Sequence, residues 1–460
     1  MLPMTVKRLY APNATLTNSR PWMTLRSSLI ALSALLISCI FFPPKDSNNW
    51  IKDKDGRIAI YHGVNISNYA KVSNNGRAGI SWHTREDYAR LKDWGFNLVR
   101  YLVFWEAVEP VEGQIDTSYL NMTAERIGWL RDMGIDVLID IHQDLYAQRF
   151  SGNGFPDWMV FTNKSFEPHE NWMINYLEPA VMESYGNFWK SSENQAKYRD
   201  MVKLVLSKVR MFDNVVGVDV MNEPFPGYTK EFESRVLSNF YGLLEDMFYG
   251  TGTDKYMAYE PWISTSAGLP ATLTFKPSMV RGIYAPHYYD PVCHDGGPYK
   301  WENKKLMENS MALRVSEAAK VKVPLIYGEF GIGPQSDKYQ DYIKDFVNLC
   351  DRYCVGWLWW SYDKTIHSPF GLIDEDGKET PTVKVLSRVY PQRIGGTKPK
   401  YGIEGNVFTL TYEGNKGMTE IFVPMDSVVI AINVPHTWTR EGHIVKCSTE
   451  GRTEVRITWE

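Results

Sequence analysis

Val218-Asp219-Val220-Met221-Asn222-Glu223-Pro224-Phe225 is an alternating apolar run that stops at Asn-Glu-Pro. It reads as a buried strand delivering one carboxylic acid at its C-terminal tip, because Pro224 has no amide hydrogen with which to continue a ladder. A second run, Val323-Pro324-Leu325-Ile326-Tyr327-Gly328-Glu329-Phe330-Gly331, stops the same way, with a glutamate after apolar residues and glycines that let other groups approach the backbone. Two strand-end glutamates point to a paired acid site.

Working outward, strand candidates lie at 58–65, 96–102, 136–141, 215–221, 256–259, 282–286, 324–328 and 355–360. Helical spacing separates them at about 85–94, 122–133, 193–209 and 230–248. Strands alternating with helices over this length imply parallel pairing, and eight such units predict an α/β fold closed into a (β/α)8 TIM barrel. An open doubly wound sheet is disfavoured, because no Gly-rich phosphate loop follows the first strand. In a barrel, catalytic groups sit at the C-terminal strand ends. The polar residues expected there are Asn65, Arg100, His142, Asp144, Asn222, Glu223, His287, Tyr289, Glu329 and Trp360.

From about Pro391 the pattern becomes short alternating runs at 406–412, 419–423, 427–434 and 453–459, punctuated by Gly and Asn. This predicts a small C-terminal antiparallel β-sandwich. The expected division is a targeting segment over 1–45, a catalytic barrel over 46–388 and the β-sandwich over 389–460.

At 460 residues and 44% hydrophobic the chain can bury a large core, and its net charge of -4 gives no electrostatic case for nucleic acid. Sixteen Trp and 27 Tyr exceed what packing alone requires and suit stacking on sugar rings or a lipid interface. Arg20 and Arg26 precede an apolar run from Leu29 to Phe42, too short to span a bilayer comfortably and matching a signal-peptide core. Leu36-Ile37-Ser38-Cys39 also resembles a bacterial lipobox. Two readings therefore stand: secretion, or anchoring at a membrane by the segment itself or by lipid on Cys39.

Cys293, Cys350, Cys354 and Cys447 permit two disulfides in an exported chain, with three connectivities, or four buried thiols. Neither they nor the His residues have zinc spacing, so no metal and no cofactor are expected. Sequons stand at Asn13, Asn65, Asn121 and Asn163. The oligomeric state is not fixed by the sequence; a monomer is the expectation.

Glycoside hydrolysis requires one carboxyl group to protonate the leaving oxygen and a second, across the sugar, to attack the anomeric carbon or activate water. Glu223 and Glu329 supply both. Asn222-Glu223-Pro224, the strand ending in Glu329, Arg100, His142, the pair His287 and Tyr289, and Trp360 together resemble the family five glycoside hydrolases, the cellulase-like barrels of clan A, over most of residues 55 to 385. More narrowly, His142-Gln143-Asp144-Leu145-Tyr146, Gly152-Asn153-Gly154-Phe155-Pro156-Asp157-Trp158 and Trp360-Ser361-Tyr362 resemble the endoglycoceramidases, as does the β-rich tail.

That resemblance implies a retaining double displacement, with Glu223 as acid/base and Glu329 as nucleophile about 5 Å apart. It implies that Arg100 orients Glu329, that Tyr289 donates to the nucleophile with His287 beside it, that Asn222 meets the 2-hydroxyl, and that Trp360 is the sugar platform. His142 and Asp144 would bind hydroxyls of that sugar, and Lys71 would reach a more distant one. Structural alternatives remain for several of these residues: an ion pair for Arg100, core residues for His287 and Tyr289, a solvated loop for Lys71. The segment 145–190 is rich in aromatic residues and is either an apolar wall for a lipid or a locally packed insertion.

The expected activity is an endo-β-glycosidase that separates the oligosaccharide of a glycosphingolipid from its ceramide. A family-five β-glucanase, a glucosyl- or galactosylceramide-type β-glycosidase, and a non-catalytic glycolipid-binding protein are the alternatives. The substrate would be met at a membrane or micelle surface.

Overall fold

The computed structural model describes residues 50–460. Its centre is a parallel sheet made of β2 (His62–Ile66), β3 (Leu98–Val103), β4 (Asp136–Ile141), β5 (Val215–Asp219), β6 (Tyr256–Tyr259), β7 (Gly282–Tyr284), β8 (His287–Tyr288), β9 (Ile326–Phe330) and β10 (Gly356–Trp359). The strand order is β7-β6-β5-β4-β3-β2-β10-β9-β8, so β2 lies between β3 and β10. The two ends of that order are consecutive in the chain, separated by Ala285-Pro286. Tyr284 pairs in parallel with Leu325, and Gly328 donates its N–H to Pro286 O at 3.0 Å. β7 and β8 therefore share one position in the ring, and the sheet closes as a TIM barrel. Pro286 breaks that strand in two because it has no N–H for the ladder.

The barrel strands are buried on both faces, as a parallel sheet covered by helices requires. Inside the ring, however, sit Arg100, Asp140 and Asp219, all fully buried on runs that otherwise read as apolar. Helices Thr117–Asp132, Ser192–Val209, Trp301–Val321 and Tyr339–Tyr353 lie among the connections between strands. The first begins five residues ahead of the expected 122, because Asp116 caps it by accepting from Tyr119 N at 2.9 Å. The stretch expected as one helix over 230–248 opens with a wider turn at Phe232–Leu237 before the α-helix Ser238–Thr251.

The first strand expected at 58–65 divides. Its opening residues form β1 (Ile58–Ala59), which pairs antiparallel with β11 (Tyr390–Ile394) and so joins the C-terminal sheet. That sheet continues through β12 (Gly396–Glu404), β13 (Val407–Phe422), β14 (Val428–Ile432), β15 (His436–Glu441) and β16 (Ile444–Trp459). The runs at 406–412 and 419–423 are two halves of the single strand β13, with a register shift between Asn415 and Met418. β12 and β14 flank one end of the β13–β16 pair, and β11 and β15 flank the other. Phe408, Leu410, Ile421, Val445, Val455 and Ile457, from both ends, share one apolar core with Ile58, Ile60 and Tyr390. Tyr390 also locks this layer to the barrel: its ring stacks on His62 at 3.6 Å and its hydroxyl donates to Gly95 O at 2.6 Å.

Cys293, Cys350, Cys354 and Cys447 are buried free thiols, not disulfides. Asn65 is buried within β2, so that sequon is not a surface acceptor. Asn13, Cys39 and the apolar run from Leu29 to Phe42 lie outside the described residues. Among the described residues no helix is long and apolar enough to cross a membrane.

Candidate active site

β5 ends at Asp219, and the chain then turns out of the sheet through Val220 and Met221 to Asn222 and Glu223. Asn222 N still donates to Ile141 O, at 3.0 Å, which ties this turn to the end of β4. Glu223 has a φ of +39°, a left-handed conformation unusual for a side chain of its size and typical of functional turns. Its backbone N–H donates to Glu260 Oε2 at 3.0 Å, and Gln143 Nε2 donates to the carbonyls of Asn222 and Glu223 at 2.8 and 3.1 Å. The turn is thus fixed from two sides.

Glu329 lies within β9, next to Gly328 and two residues before Gly331. A Cβ at Gly328 would come 2.9 Å from His287 Nε2, and one at Gly331 2.8 Å from Trp360 O. Both glycines therefore admit site residues at contact distance. A carboxylate oxygen of Glu223, one of Glu329 and a ring nitrogen of His287 all lie within 4.8 Å of one another. That carboxylate spacing is the one a retaining double displacement uses.

Each glutamate has its own donors. Arg100 Nη1 donates to Glu329 Oε1 at 2.7 Å, and the Tyr289 hydroxyl donates to Glu329 Oε2 at 2.8 Å. Glu223 Oε1 lies 2.9 Å from His287 Nδ1 and accepts from the Ser266 hydroxyl at 3.3 Å. His287 sits closer to Glu223 than to Glu329, whose Oε2 is 3.6 Å away, and its other nitrogen is 3.2 Å from Glu260 Oε1. Burial alone would lower the His287 pKa, but the charges of Glu260 and Glu329 and the hydrogen bonds to Glu223 and Glu260 raise it well above its ordinary value. A ring that is protonated on both nitrogens donates in both directions and offers no lone pair to a metal. With both Glu329 oxygens already on donors, this trio fits an acid-base site better than a metal centre.

Arg100 is not at a strand tip. It sits within β3, and its guanidinium points into the ring, where Nη2 lies 2.9 Å from Asp140 Oδ1, 3.0 Å from Asp219 Oδ2 and 2.9 Å from Glu260 Oε1. It also donates to Asn65 Oδ1 at 3.1 Å and Asn222 Oδ1 at 3.0 Å. The two readings of Arg100 are therefore both realised, as a buried ion-pair hub and as a donor to Glu329. Burial raises Glu260 well above the usual carboxylate range against the pull of His287, and raises Asp219 to about 6 against the pull of Arg100. Asn222 is engaged at both ends, since its Nδ2 donates to Gln143 O at 2.9 Å.

A second cluster adjoins the first. Asp140 Oδ2 lies 2.6 Å from His142 Nδ1, whose Nε2 is 3.2 Å from Asp144 Oδ2. Lys71 Nζ is 2.6 Å from that same Asp144 oxygen and 4.1 Å from the centre of the Trp360 ring, which lies parallel to His142 at 5.6 Å. Lys71 thus joins Asp144 to the Trp360 ring. Burial favours the neutral form of Asp144, yet the Lys71 and His142 charges hold it well below the usual carboxylate range. Polar side chains thus lie over and beside the Trp360 ring, with Asp144 held between Lys71 and His142.

Asp140, Asp219, Glu260, Gln143 and Ser266 did not figure among the expected site residues. Tyr259-Glu260-Pro261 carries the same signal as Asn-Glu-Pro, a strand followed by Glu and then Pro, and Asp140 and Asp219 are acids inside apolar strand runs. Gln143 lies within the stretch His142-Gln143-Asp144-Leu145-Tyr146 but was given no role there, and nothing in the sequence marks Ser266. Most aromatic residues of 145–190, among them Tyr146, Phe150, Phe155, Tyr185 and Phe188, are buried against the barrel and the helix Pro179–Lys190. That part is a packed insertion. Its short turn Trp172–Leu177 differs, because Trp172, Met173, Ile174 and Leu177 are exposed while Tyr176 packs 4.8 Å from Phe225, two residues after Glu223.

Residues 61–365 match the family described as Cellulase (glycosyl hydrolase family 5). The chain is 26% identical to Endoglycoceramidase I of Rhodococcus hoagii over 404 residues, covering 81% of this chain and 77% of that one. It is 22% identical to an Endoglycoceramidase of Hydra vulgaris, over 81% of this chain and 78% of that one. Among solved structures, Endo-glycoceramidase II from Rhodococcus sp. in a Ganglioside GM3 Complex superposes with a TM-score of 0.81 at 29% identity, over 89% of this chain and 99% of that one. The same Rhodococcus protein has been solved as a Lactosyl-Enzyme Intermediate, with a TM-score of 0.80 at 29% identity over the same shares. The closed parallel barrel, the paired glutamates at its C-terminal face and the match over residues 61–365 together establish that this chain is a glycoside hydrolase belonging to glycosyl hydrolase family 5.

Proposed function

We propose that the protein is a retaining endo-β-glycosidase that hydrolyses the bond between oligosaccharide and ceramide in glycosphingolipids, releasing the intact glycan and ceramide. The observation that carries this reading is the Glu223–Glu329 pair with oxygens within 4.8 Å, set beside both a sugar-type cluster and an exposed apolar turn. Glu329 attacks the anomeric carbon while Glu223 protonates the departing ceramide oxygen. Glu223, then a carboxylate, takes a proton from water as that water displaces Glu329. Arg100 and Tyr289 orient the nucleophile, His287 links the two acids, and Asn222 faces the sugar from the acid/base turn. Trp360, His142, Asp144 and Lys71 hold the sugar at the cleaved bond.

The relatives support the lipid substrate. Two are named endoglycoceramidases, and the Rhodococcus structures carry GM3 and a lactosyl-enzyme intermediate in their own sites. The turn Trp172–Leu177 is the part of this molecule suited to an acyl chain or a membrane surface beside the acid/base. We further read residues 1–45 as an export or anchoring segment that places the enzyme, as a monomer, outside the cytoplasm or on a membrane. Residues 46–388 form the catalytic unit in this reading, and 389–460 cover the barrel's apolar flank.

The test is mass spectrometry of the products formed from a glucosylceramide, a ganglioside and a cello-oligosaccharide in detergent. Ceramide plus intact ganglioside glycan, lost in Glu223→Gln, is the expected result. Cleavage of the cello-oligosaccharide alone, or of glucosylceramide alone, would overturn the assignment to glycosphingolipid glycans while leaving the two-glutamate chemistry.

A further inference from the structure

Glu260 directly follows β6, and β6 pairs in parallel with β5, the strand that leads to Glu223. It is 2% exposed, so its carboxylate acts only on protein groups. Those groups belong to three parts of the site. Oε2 accepts from Glu223 N at 3.0 Å, Oε1 accepts from Arg100 Nη2 at 2.9 Å, and the same Oε1 lies 3.2 Å from His287 Nε2. One carboxylate therefore touches the backbone of one glutamate, the ring between the two glutamates and the guanidinium that holds the other.

Asp140 and Asp219 also pair with Arg100, which makes a plain counter-ion the simplest account of Glu260. Its second oxygen argues for more. Glu223 stands at a φ of +39°, a conformation that persists only where its surroundings fix it. Gln143 holds the carbonyls of that turn, and Glu260 holds its amide. His287 depends on Glu260 as well. Burial would strip the ring of its charge, and the Glu260 carboxylate is the largest of the influences that keep it protonated, ahead of Glu329 and Glu223. A protonated ring donates from Nδ1 to Glu223 Oε1, 2.9 Å away. Glu260 is itself held in place by Tyr241 of the helix Ser238–Thr251, whose hydroxyl donates to Glu260 O at 2.7 Å and accepts from Glu260 N at 3.3 Å.

We propose that Glu260 is a positioning residue for the acid/base: it fixes the turn and the ring that aim the Glu223 carboxyl at the leaving oxygen. This rests on the reading of Glu223 as acid/base and of Glu329 as nucleophile. Glu329 keeps Arg100 Nη1 and the Tyr289 hydroxyl when Glu260 is altered, so attack on the anomeric carbon is disturbed less than protonation of the leaving group. Glu260→Gln preserves size but replaces one acceptor oxygen by an NH2, so either Glu223 N or the Arg100 and His287 side chains lose their acceptor.

The experiment measures kcat/KM on two soluble aryl β-lactosides, one with a dinitrophenolate leaving group that departs without a proton and one with a phenolate that requires it. Glu260→Gln should lower the phenyl value by about tenfold or more beyond its effect on the dinitrophenyl value, a part of the about 10²–10⁴-fold that general acid catalysis supplies. An equal loss on both substrates, as a loss of packing or of charge balance would give, overturns the proposal. Tyr241→Phe frees the Glu260 backbone while leaving every acid in place, and should move the same ratio in the same direction by a smaller factor. If Glu260→Gln does not fold, Tyr241→Phe decides, and an unaltered ratio overturns the proposal. Glu223→Ala, run alongside, tests the underlying assignment separately and should show the largest selective loss on the phenyl substrate. If it does not, or if the parent cleaves neither lactoside, Glu260 is judged by nuclear magnetic resonance of the His287 ring. In protein with isotopically labelled histidine, that ring should lose its proton at lower pH in Glu260→Gln than in the parent, and equal titration removes the role.

Discussion

Nη1 of Arg100 lies 2.7 Å from Oε1 of Glu329, and the same guanidinium neutralises Asp140, Asp219 and Glu260 deep inside the barrel. One fully buried cation thus serves four acids, only one of which faces the candidate reaction centre. The planar fork of arginine is required for this, since an ammonium presents a single point of charge.

Arg100→Ala leaves buried carboxylates without their counter-charge and should cost about 3–5 kcal/mol of stability. Arg100→Lys restores a charge without the fork. It should melt between the parent and the alanine variant yet show a kcat close to that of the alanine variant. Thermal denaturation and steady-state kinetics on an aryl β-lactoside check both halves. A lysine variant as active as the parent would reduce Arg100 to a charge carrier with no role in orienting Glu329.

The separation of roles between the glutamates is open to a direct chemical test. Glu223→Ala should slow hydrolysis of a natural glycolipid by about 10²–10⁴-fold, while an aryl glycoside with a good leaving group still forms the glycosyl-enzyme. Sodium azide, a nucleophile that needs no general base, should then restore turnover and yield a β-configured glycosyl azide. Glu329→Ala should show no such β product, because the covalent intermediate cannot form. An α-configured azide from Glu223→Ala would exchange the two assignments.

How far the sequence foretold this site follows from where its signals reside. Glu223 and Glu329 were legible because each ends an apolar run, so a strand and its tip could be placed from period alone. Glu260 carried the same strand-Glu-Pro signal but lacked an obvious partner in chemistry that needs only two acids. Asp140 and Asp219 were hidden by their own strands, since apolar alternation does not report that the interior of this ring is ionic. Arg100 was expected at the mouth because Arg is expensive to bury alone, and its burial becomes intelligible only once four acids converge from other strands. The contributions of Gln143 and Ser266 are long-range hydrogen bonds, invisible to any local pattern. The splitting of 58–65 between two sheets likewise depends on β11, more than 300 residues later.

Asp363 offers a pH test away from the acids of the ring. Its carboxylate accepts from Asn68 N at 2.7 Å, Trp82 Nε1 at 3.1 Å and the Ser361 hydroxyl at 2.7 Å, binding the Lys71 turn to the loop after Trp360. Burial raises its pKa from 3.8 to about 6 against those donors. The folded state therefore holds this proton more tightly than the unfolded state does. Between about 6 and 3.8 folding takes up a proton, so the Asp363 contribution to stability rises as pH falls through that window and is least favourable above it. Asp363→Asn removes the term. The difference in melting temperature, parent minus variant, should increase as pH is lowered from 7 toward 4; a difference that is flat or decreases would refute the linkage.

The exposed turn Trp172–Leu177 separates catalysis from access to lipid. Leu177 is 68% exposed and Ile174 44%, so neither contributes much to the core, and a charge at Leu177 should leave the melting temperature within about 1 °C of the parent. Moving a leucine from water into lipid is worth about 1.5–3 kcal/mol, and a carboxylate in its place forfeits that and adds a desolvation cost. Leu177→Asp should therefore lower the ratio of turnover on vesicle-embedded glycosphingolipid to turnover on a soluble aryl β-lactoside by about tenfold or more. Co-sedimentation with neutral phosphatidylcholine vesicles should fall in parallel. Tyr176 ties this turn to Phe225, two residues after Glu223. If the ratio is unaltered while the parent binds vesicles, the enzyme meets its substrate through another surface, and this turn is only the outer edge of the packed insertion.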